Sequence, residues 1–286
     1  MNESVQITLK DGRKLGYVRY GKADGPPVFY NHGWPGSRFE AQLLQSAAEA
    51  VGVDLIAIDR PGYGLSDFQP GRTFLDWPDD LADLADQLGH PKFYVLGLSG
   101  GGPYAASAAY KIPERLQGAT IIAGLSPMSN PRTREGMRPL NIFLLSWAPR
   151  IPGLLNLMMR VTHSVIQNPK AFERSMADLP EVDREVIKGK KGLAHVAKEA
   201  YKQGVRGTTH DGVLYSRGWG FELGEISMPL TIWQGTLDVN VPQSNGQILA
   251  EEIPNGTLNL IEGEGHLSVV VNYGEAILRD LIDGND

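Results

Sequence analysis

The sequence predicts an α/β fold: a mostly parallel sheet flanked by helices, with a helical cap inserted before the penultimate strand. Two observations predict this class. Short apolar runs alternate with helix-like segments through the first half of the 286 residues, as in parallel sheets that are covered on both faces. The alternation stops between residues 128 and 225, which show no strand pattern, and two further apolar runs follow.

The strands are predicted from their composition and from the turns between them. Residues 4–10 and 14–20 are rich in β-branched and aromatic types, and Asp11-Gly12 between them is typical of a hairpin turn. Later apolar runs predict strands at residues 28–31, 53–58, 93–98, 119–123, 230–233 and 258–261. Because the carboxyl ends of parallel strands share one edge of a sheet, we expect the functional residues to follow these strands.

The segments between the strands predict helices. Three of them lie at residues 38–50, 75–88 and 101–110. A fourth lies between the last two predicted strands, and a fifth lies at residues 268–283. The discontinuous core therefore comprises residues 1–127 and 226–286. Residues 128–225 form the predicted helical cap, where six prolines keep the helices short.

Composition and charge exclude several classes of function. The chain has no cysteine, which excludes disulfides and thiolate metal sites. A net charge of −6 argues against nucleic acid as the main partner, because binding phosphates requires a basic surface. No long apolar run predicts a membrane span and no signal peptide is apparent, so we expect a cytoplasmic protein. The expected partner is a small-molecule substrate, and the oligomeric state stays open.

The strongest chemical signal is the segment Gly97-Leu98-Ser99-Gly100-Gly101, which lies between an apolar strand and an alanine-rich helix. A G-x-S-x-G sequence at a strand-to-helix turn holds its serine in a strained conformation. Small residues two positions before and after the serine let the strand and the helix approach. The helix N-terminus then directs backbone N–H groups at the place where an oxyanion would develop. Ser99 is therefore the predicted nucleophile.

A serine nucleophile needs a base, and a histidine base needs a carboxylate to orient it. Among six histidines, His266 directly follows the last predicted strand, on the edge that also carries Ser99. Asp238 follows the penultimate strand. Glu262 and Glu264 compete with it, but they are too close in sequence to His266 to reach its far ring nitrogen easily. The predicted catalytic residues are Ser99, Asp238 and His266.

An oxyanion also requires backbone donors, and two are predicted. The first is the N–H of Gly100. The second lies in the loop His32-Gly33-Trp34-Pro35-Gly36, which follows the strand at 28–31. Trp34 N–H is the predicted donor, because Gly33 allows a sharp exit from the strand and Pro35 has no N–H. We also predict a cis peptide bond between Trp34 and Pro35.

Together these segments resemble the α/β-hydrolase superfamily, in particular its capped serine hydrolases of the carboxylesterase type. The matching segments are His32–Ser37, Asp59–Asp67, Gly97–Gly102, Gly235–Asp238 and Gly265-His266. They span the whole predicted core, and the insertion lies where this superfamily carries its cap. The chain order of nucleophile, acid and histidine is also the one expected of this fold. The resemblance implies no metal and no organic cofactor.

Residues around the nucleophile distinguish this chain from several branches of the superfamily. Epoxide hydrolases and haloalkane dehalogenases have aspartate in place of Ser99. Proline iminopeptidases usually have Gly-Gly-Ser-Trp-Gly at this turn, and carbon–carbon hydrolases of aromatic breakdown commonly have Gly-Asn-Ser. The resemblance therefore implies a carboxylesterase or lactonase that cleaves a small, fairly apolar ester through an acyl-serine intermediate. An aminopeptidase or amidase, a carbon–carbon hydrolase and a non-enzymatic ligand-binding protein are the alternatives.

The predicted cap is strongly apolar between residues 140 and 161. These side chains either pack the cap against the core or line an apolar pocket over Ser99, and the two interpretations are compatible. The predicted pocket residues are Gly33, Phe143, Trp147, Met158 and Trp219.

Overall fold

The computed structural model describes residues 3–189 and 192–284 and contains an eight-stranded sheet in the order β1-β2-β4-β3-β5-β6-β7-β8. The strands are β1 (Ser4–Thr8), β2 (Lys14–Gly21), β3 (Pro27–Asn31), β4 (Asp54–Ile58), β5 (Phe93–Leu98), β6 (Leu116–Ile122), β7 (Leu230–Gly235) and β8 (Gly256–Ile261). Strands β3 to β8 pair in parallel, while β1 and β2 add an antiparallel edge. The predicted mostly parallel sheet is confirmed. Residues 1, 2, 190, 191, 285 and 286 of the predicted core and cap ranges lie outside the described residues.

Helices connect the strands, and eleven α-helices occur in the described part of the chain. They are α1 (Gln45–Val51), α2 (Trp77–Leu88), α3 (Gly102–Lys111), α4 (Pro139–Ile142), α5 (Leu154–Gln167), α6 (Pro169–Ser175), α7 (Glu181–Gly189), α8 (Leu193–Ala200), α9 (Arg206–Tyr215), α10 (Gln243–Glu252) and α11 (Ser268–Asp283). One prediction needs correction. The helix expected at 38–50 is divided between a 3-10 segment, Arg38–Leu44, and α1.

Successive residues of the central strands face two separate apolar cores. Phe29 belongs to a core that it shares with Leu81 of α2 and Ala105 of α3. Its neighbour Tyr30 belongs to the opposite core, which contains Ala48 of α1 and Leu278 of α11. Helices thus cover both faces of the sheet, and this double burial explains why the strands read as continuous apolar runs.

The segment between β6 and β7 is helical. Its described residues form α4 to α9 and no strand, so the helical insertion precedes the penultimate strand as predicted. Its helices share a third apolar cluster, in which Leu155, Met159 and Tyr201 pack with Tyr63 from the loop after β4. This shared cluster places the helical segment against loops that follow the parallel strands. Within residues 3–189 and 192–284, no helix is long and apolar enough to cross a bilayer.

Candidate active site

Ser99 lies at the sharp turn between β5 and α3. Its φ of 55° is in the left-handed region, which is costly for a residue with a side chain and persists only where the surroundings enforce it. The flanking glycines permit this turn. A Cβ atom on Gly97 would lie 2.4 Å from the carbonyl oxygen of Gly101, and one on Gly101 would lie 2.1 Å from that of Asn31. The packing therefore requires glycine on both sides of Ser99, as the sequence motif predicts.

His266 and Asp238 are brought together by the loops after β8 and β7. The Nδ1 atom of His266 lies 2.7 Å from Oδ2 of Asp238. The other carboxylate oxygen, Oδ1, accepts hydrogen bonds from the backbone N–H groups of Asn240 at 2.8 Å and Val241 at 2.9 Å. Gln234 donates to Oδ2 from 3.2 Å. Asp238 is therefore fixed as an acceptor, so the Nδ1 atom of His266 carries the proton and Nε2 keeps its lone pair.

The surroundings of His266 change its basicity. Burial on its own would lower the pKa of the imidazole, because a buried cation loses its hydration. The charge and hydrogen bond of Asp238 act in the opposite direction, and the carboxylates of Asp183 and Glu40 add to them. The net effect is a raised pKa for His266, so this side chain is a stronger base than an ordinary histidine.

Asp183 is a site residue that the sequence did not reveal. It lies on α7 in the helical segment and is fully buried. Its carboxylate accepts hydrogen bonds from the backbone N–H groups of His266, Leu267 and Ser268 at 2.8–2.9 Å. These groups form the N-terminal end of α11, so Asp183 caps that helix from another part of the chain. No local motif marks Asp183, because its three partners are 83–85 residues away.

The backbones of Gly100 and Trp34, which carry the two predicted oxyanion donors, lie close together beside Ser99. A Cβ atom on Gly100 would lie 3.2 Å from the backbone nitrogen of Trp34, and one on Gly33 would lie 3.4 Å from Cβ of Ser99. The Trp34–Pro35 peptide bond is cis, which confirms that prediction. The Gly33 N–H donates to Oε2 of Glu40 at 2.6 Å. The next N–H along the chain, that of Trp34, is therefore the candidate donor from this loop.

Glu40 is a second residue that sequence reasoning missed. It follows the Trp34 loop, and Tyr30 donates a hydrogen bond of 2.9 Å to the same Oε2 atom that Gly33 contacts. Burial raises the pKa of the Glu40 carboxyl, although these two hydrogen bonds oppose the shift. Glu40 thus anchors the loop that carries Trp34. The sequence offered only its place in a predicted helix, which gives no hint of this contact.

One cavity of about 460 Å³ joins these groups. Ser99, His266, Trp34 and Gly100 all line it, and Asp238 lies behind His266. The helical segment contributes many apolar lining residues, among them Leu140, Leu144, Leu145, Met158, Met159 and Ile166. A cavity with convergent polar groups at one point and an apolar wall elsewhere suits a small, largely apolar ligand.

The predicted pocket residues are only partly placed at this cavity. Gly33 and Met158 line it. Phe143, Trp147 and Trp219 do not belong to its described lining, so their prediction is corrected. Trp147 is 57% exposed, Trp219 is 3% exposed within the core beside Phe74, and Phe143 packs against the cluster of the helical segment. Apolar composition identified this segment but not the direction in which each side chain points.

The described residues contain no group of three or more histidine, aspartate or glutamate side chains that could hold a metal ion. A serine at a strained turn, a histidine with a raised pKa and two neighbouring backbone N–H groups are the kinds of group that acyl-transfer sites use.

Comparison with known proteins gives matches over most of the chain. A family model described as the alpha/beta hydrolase fold matches residues 26–160. A bifunctional esterase/perhydrolase from Acinetobacter calcoaceticus is 28% identical, with 96% of this chain and 97% of that protein covered. A non-heme chloroperoxidase from Streptomyces lividans is 27% identical over the same shares of the two chains.

Solved structures show the same architecture. A hydrolase from Pseudomonas aeruginosa superimposes with a TM-score of 0.70 at 17% identity, covering 97% of both chains. An esterase from a Rhodococcus species superimposes with a TM-score of 0.63 at 20% identity, covering 96% of this chain and 99% of that one. At such identities the likeness concerns the fold.

Proposed function

Because this chain belongs to the α/β-hydrolase superfamily, we propose that it is a serine hydrolase that cleaves a small, fairly apolar ester through an acyl-serine intermediate. One observation carries the proposal. Ser99, His266 and the backbone of Trp34 and Gly100 line a single cavity, with Asp238 hydrogen-bonded behind the histidine. The esterase activity named for the similar protein from Acinetobacter calcoaceticus agrees with an ester substrate.

The proposed reaction begins with attack by Oγ of Ser99 on the ester carbonyl, while Nε2 of His266 takes the hydroxyl proton. Asp238 stabilises the imidazolium that forms. The carbonyl electrons move onto oxygen, where the N–H groups of Gly100 and Trp34 donate to the oxyanion. When the tetrahedral intermediate collapses, the alcohol leaves with the proton from His266. Water then attacks the acyl-serine with help from the same base, which releases the acid and restores Ser99.

The charges around the cavity favour an ester over a peptide-like substrate. An aminopeptidase needs carboxylates near the nucleophile to bind the substrate ammonium group. Among the described lining residues only Glu40 is acidic, and its Oε2 atom already accepts from Gly33 and Tyr30. The part of the lining that comes from residues 128–225 includes Arg138 but no described acid. The apolar wall therefore supports an ester with an apolar group.

The proposal keeps the predicted division into a core of residues 1–127 and 226–286 and a cap of residues 128–225. Its support is the position of the helical segment, which lies between β6 and β7 and supplies much of the cavity wall. We also propose a cytoplasmic protein whose partner is its small-molecule substrate. The absence of cysteine suits a reducing compartment.

Turnover assays test the proposed function. We expect the protein to hydrolyse p-nitrophenyl acyl esters and to leave proline p-nitroanilide almost untouched. Ser99→Ala should lower kcat for the esters by about 10⁶-fold, because the nucleophile is gone. A matched control is Ser175→Ala, at another serine of the cavity wall, which should change kcat less than about twofold. Faster turnover of the anilide, or unchanged esterase activity in Ser99→Ala, would contradict the proposal.

A further inference from the structure

The peptide group between Gly33 and Trp34 supplies both the Trp34 N–H and the Gly33 carbonyl. The Gly33 carbonyl oxygen has two hydrogen-bond partners. Nη2 of Arg60 donates to it from 3.1 Å, and Nδ1 of His32 lies 2.9 Å away. The same guanidinium also donates from Nη1 to the carbonyl oxygen of His32. Arg60 thus spans two successive carbonyl groups of the loop that carries the oxyanion donor.

The protonation state of His32 fits a donor role toward Gly33. The backbone N–H of Arg60 donates to Nε2 of His32 at 3.2 Å, so Nε2 carries a lone pair and Nδ1 carries the proton. Burial, reinforced by the charge of Arg60, holds the pKa of His32 well below its usual range. The imidazole is therefore neutral, and its Nδ1–H and the Arg60 guanidinium both donate to the Gly33 carbonyl.

We propose that Arg60 is a positioning residue for the oxyanion hole, which it fixes and polarises through the Gly33 carbonyl. This inference rests on the proposed function. Hydrogen bonds to the carbonyl end of a peptide group polarise that group and strengthen its N–H as a donor. A fixed orientation also means that the Trp34 N–H need not reorganise when negative charge develops on the substrate.

A second contact links Arg60 to the other side of the hole. The hydroxyl of Tyr215 donates to the carbonyl oxygen of Gly100 at 2.8 Å, and Nη2 of Arg60 lies 3.4 Å from the same hydroxyl. Tyr215 is on α9 and is fully buried. Arg60 therefore contacts the Trp34 loop directly and the backbone beside Ser99 through Tyr215.

The ion pairs around Arg60 provide a matched control. Asp211 on α9 accepts from Arg60 at 2.9 Å through Oδ2 and from Arg72 through Oδ1, and all three side chains are buried. Arg72 also donates to the hydroxyl of Tyr104 at 2.5 Å, and its hydrogen bonds go to side chains rather than to the Trp34 loop. Either arginine can be removed and Asp211 still keeps one cationic partner.

The test compares Arg60→Gln with Arg72→Gln on p-nitrophenyl acetate. For Arg60→Gln we expect kcat to fall about 10- to 100-fold with KM changed less than about threefold, a smaller loss than complete removal of an oxyanion donor. A trifluoromethyl ketone, which forms an oxyanion on Ser99, should lose affinity by a similar factor. Arg72→Gln should keep kcat and inhibitor affinity within about threefold of the wild type, since the loop carbonyls keep their donors.

Thermal melting of each variant separates the inference from a folding defect. Arg60→Lys keeps the positive charge but lacks the planar fork that spans two carbonyls, so we expect a folded protein with an intermediate loss of kcat. Equal losses of kcat and inhibitor affinity in Arg60→Gln and Arg72→Gln would overturn the positioning role. So would near-normal kcat in folded Arg60→Gln and Arg60→Lys. Lack of esterase activity in the wild type would instead contradict the proposed function.

Discussion

Ser99, Asp238 and His266 each follow a strand of the parallel part of the sheet, and parallel strands end at one edge of a sheet. The apolar runs that mark these strands make the three positions predictable from the sequence. Glu40 and Asp183 were missed for a physical reason. Their roles arise from hydrogen bonds to backbone N–H groups, and any acidic residue that folding brings close can make such contacts.

The raised pKa of His266 leads to a prediction about pH dependence. His266 acts as a base only when neutral, so kcat/KM should fall as the pH drops through its pKa. Because the carboxylate of Asp238 raises that pKa, we expect the acidic limb of the profile above the ordinary histidine value of about 6.5. Steady-state assays of ester hydrolysis between about pH 5 and pH 9 give the midpoint of this acidic limb.

Asp238→Asn should change this profile in a defined direction. Removal of the charge lowers the pKa of His266, so the acidic limb moves to lower pH, while kcat falls by roughly 10⁴-fold through the wrong tautomer. Glu264→Gln is the control, since this half-buried carboxylate accepts hydrogen bonds from Asn272 and has none with the histidine ring. An unmoved limb in Asp238→Asn, or a limb that moves to higher pH, would contradict the assignment.

At the scale of elements, the N-terminus of α11 depends on a contact with α7. Asp183→Ala removes three charge-assisted hydrogen bonds, and we expect a loss of about 1–3 kcal/mol in the free energy of unfolding. The loop that carries His266 loses its support at the same time, so kcat should also fall. Urea unfolding measures the first effect and ester hydrolysis the second.

The control for Asp183→Ala is Glu185→Ala, two positions along the same helix. Glu185 is exposed and contacts Lys188 by a hydrogen bond of 2.6 Å. Its removal should leave both unfolding and kcat almost unchanged. If the two variants behaved alike, Asp183 would have no special role in holding α11 and the His266 loop.

The sequence predicts the buried strands more reliably than the environments of the apolar side chains in the helical segment. Strands such as β4 and β5 are buried along their whole length, so their apolar runs were unambiguous. The segment 140–161 was ambiguous because its apolar residues serve several surfaces. Met158 lines the cavity, Leu155 is buried among the helices, and Trp147 is exposed. Hydrophobicity alone does not distinguish these three environments.

For the whole molecule, the central feature is the position of the helical segment over the edge of the sheet. Asp211 on α9 binds that segment to the core through Arg60, Tyr63 and Tyr104, all of them buried. The two arginines beside it hold the pKa of Asp211 below its usual range despite complete burial. The sequence predicted the insertion but not this network, whose members are far apart in the chain.

A cavity wall supplied by this segment should determine which acyl groups fit. Met158→Trp adds bulk at the wall, so kcat/KM for a p-nitrophenyl octanoate should fall about tenfold or more relative to the acetate. The adjacent Leu157 is 56% exposed, and Leu157→Trp adds the same bulk outside the cavity. This control should keep the wild-type ratio between the two esters. The same change in the octanoate-to-acetate ratio of kcat/KM in both variants would show that the wall at Met158 does not determine which acyl chain lengths fit.

Covalent labelling of the folded protein with a fluorophosphonate, followed by peptide mass spectrometry, shows whether Ser99 is an activated nucleophile. We expect one adduct, on the peptide that contains Ser99, and its loss after thermal unfolding or in Ser99→Ala, because only the assembled site activates this hydroxyl. A folded protein that takes up no label, or that takes it up on a different serine, would rule out Ser99 as the nucleophile.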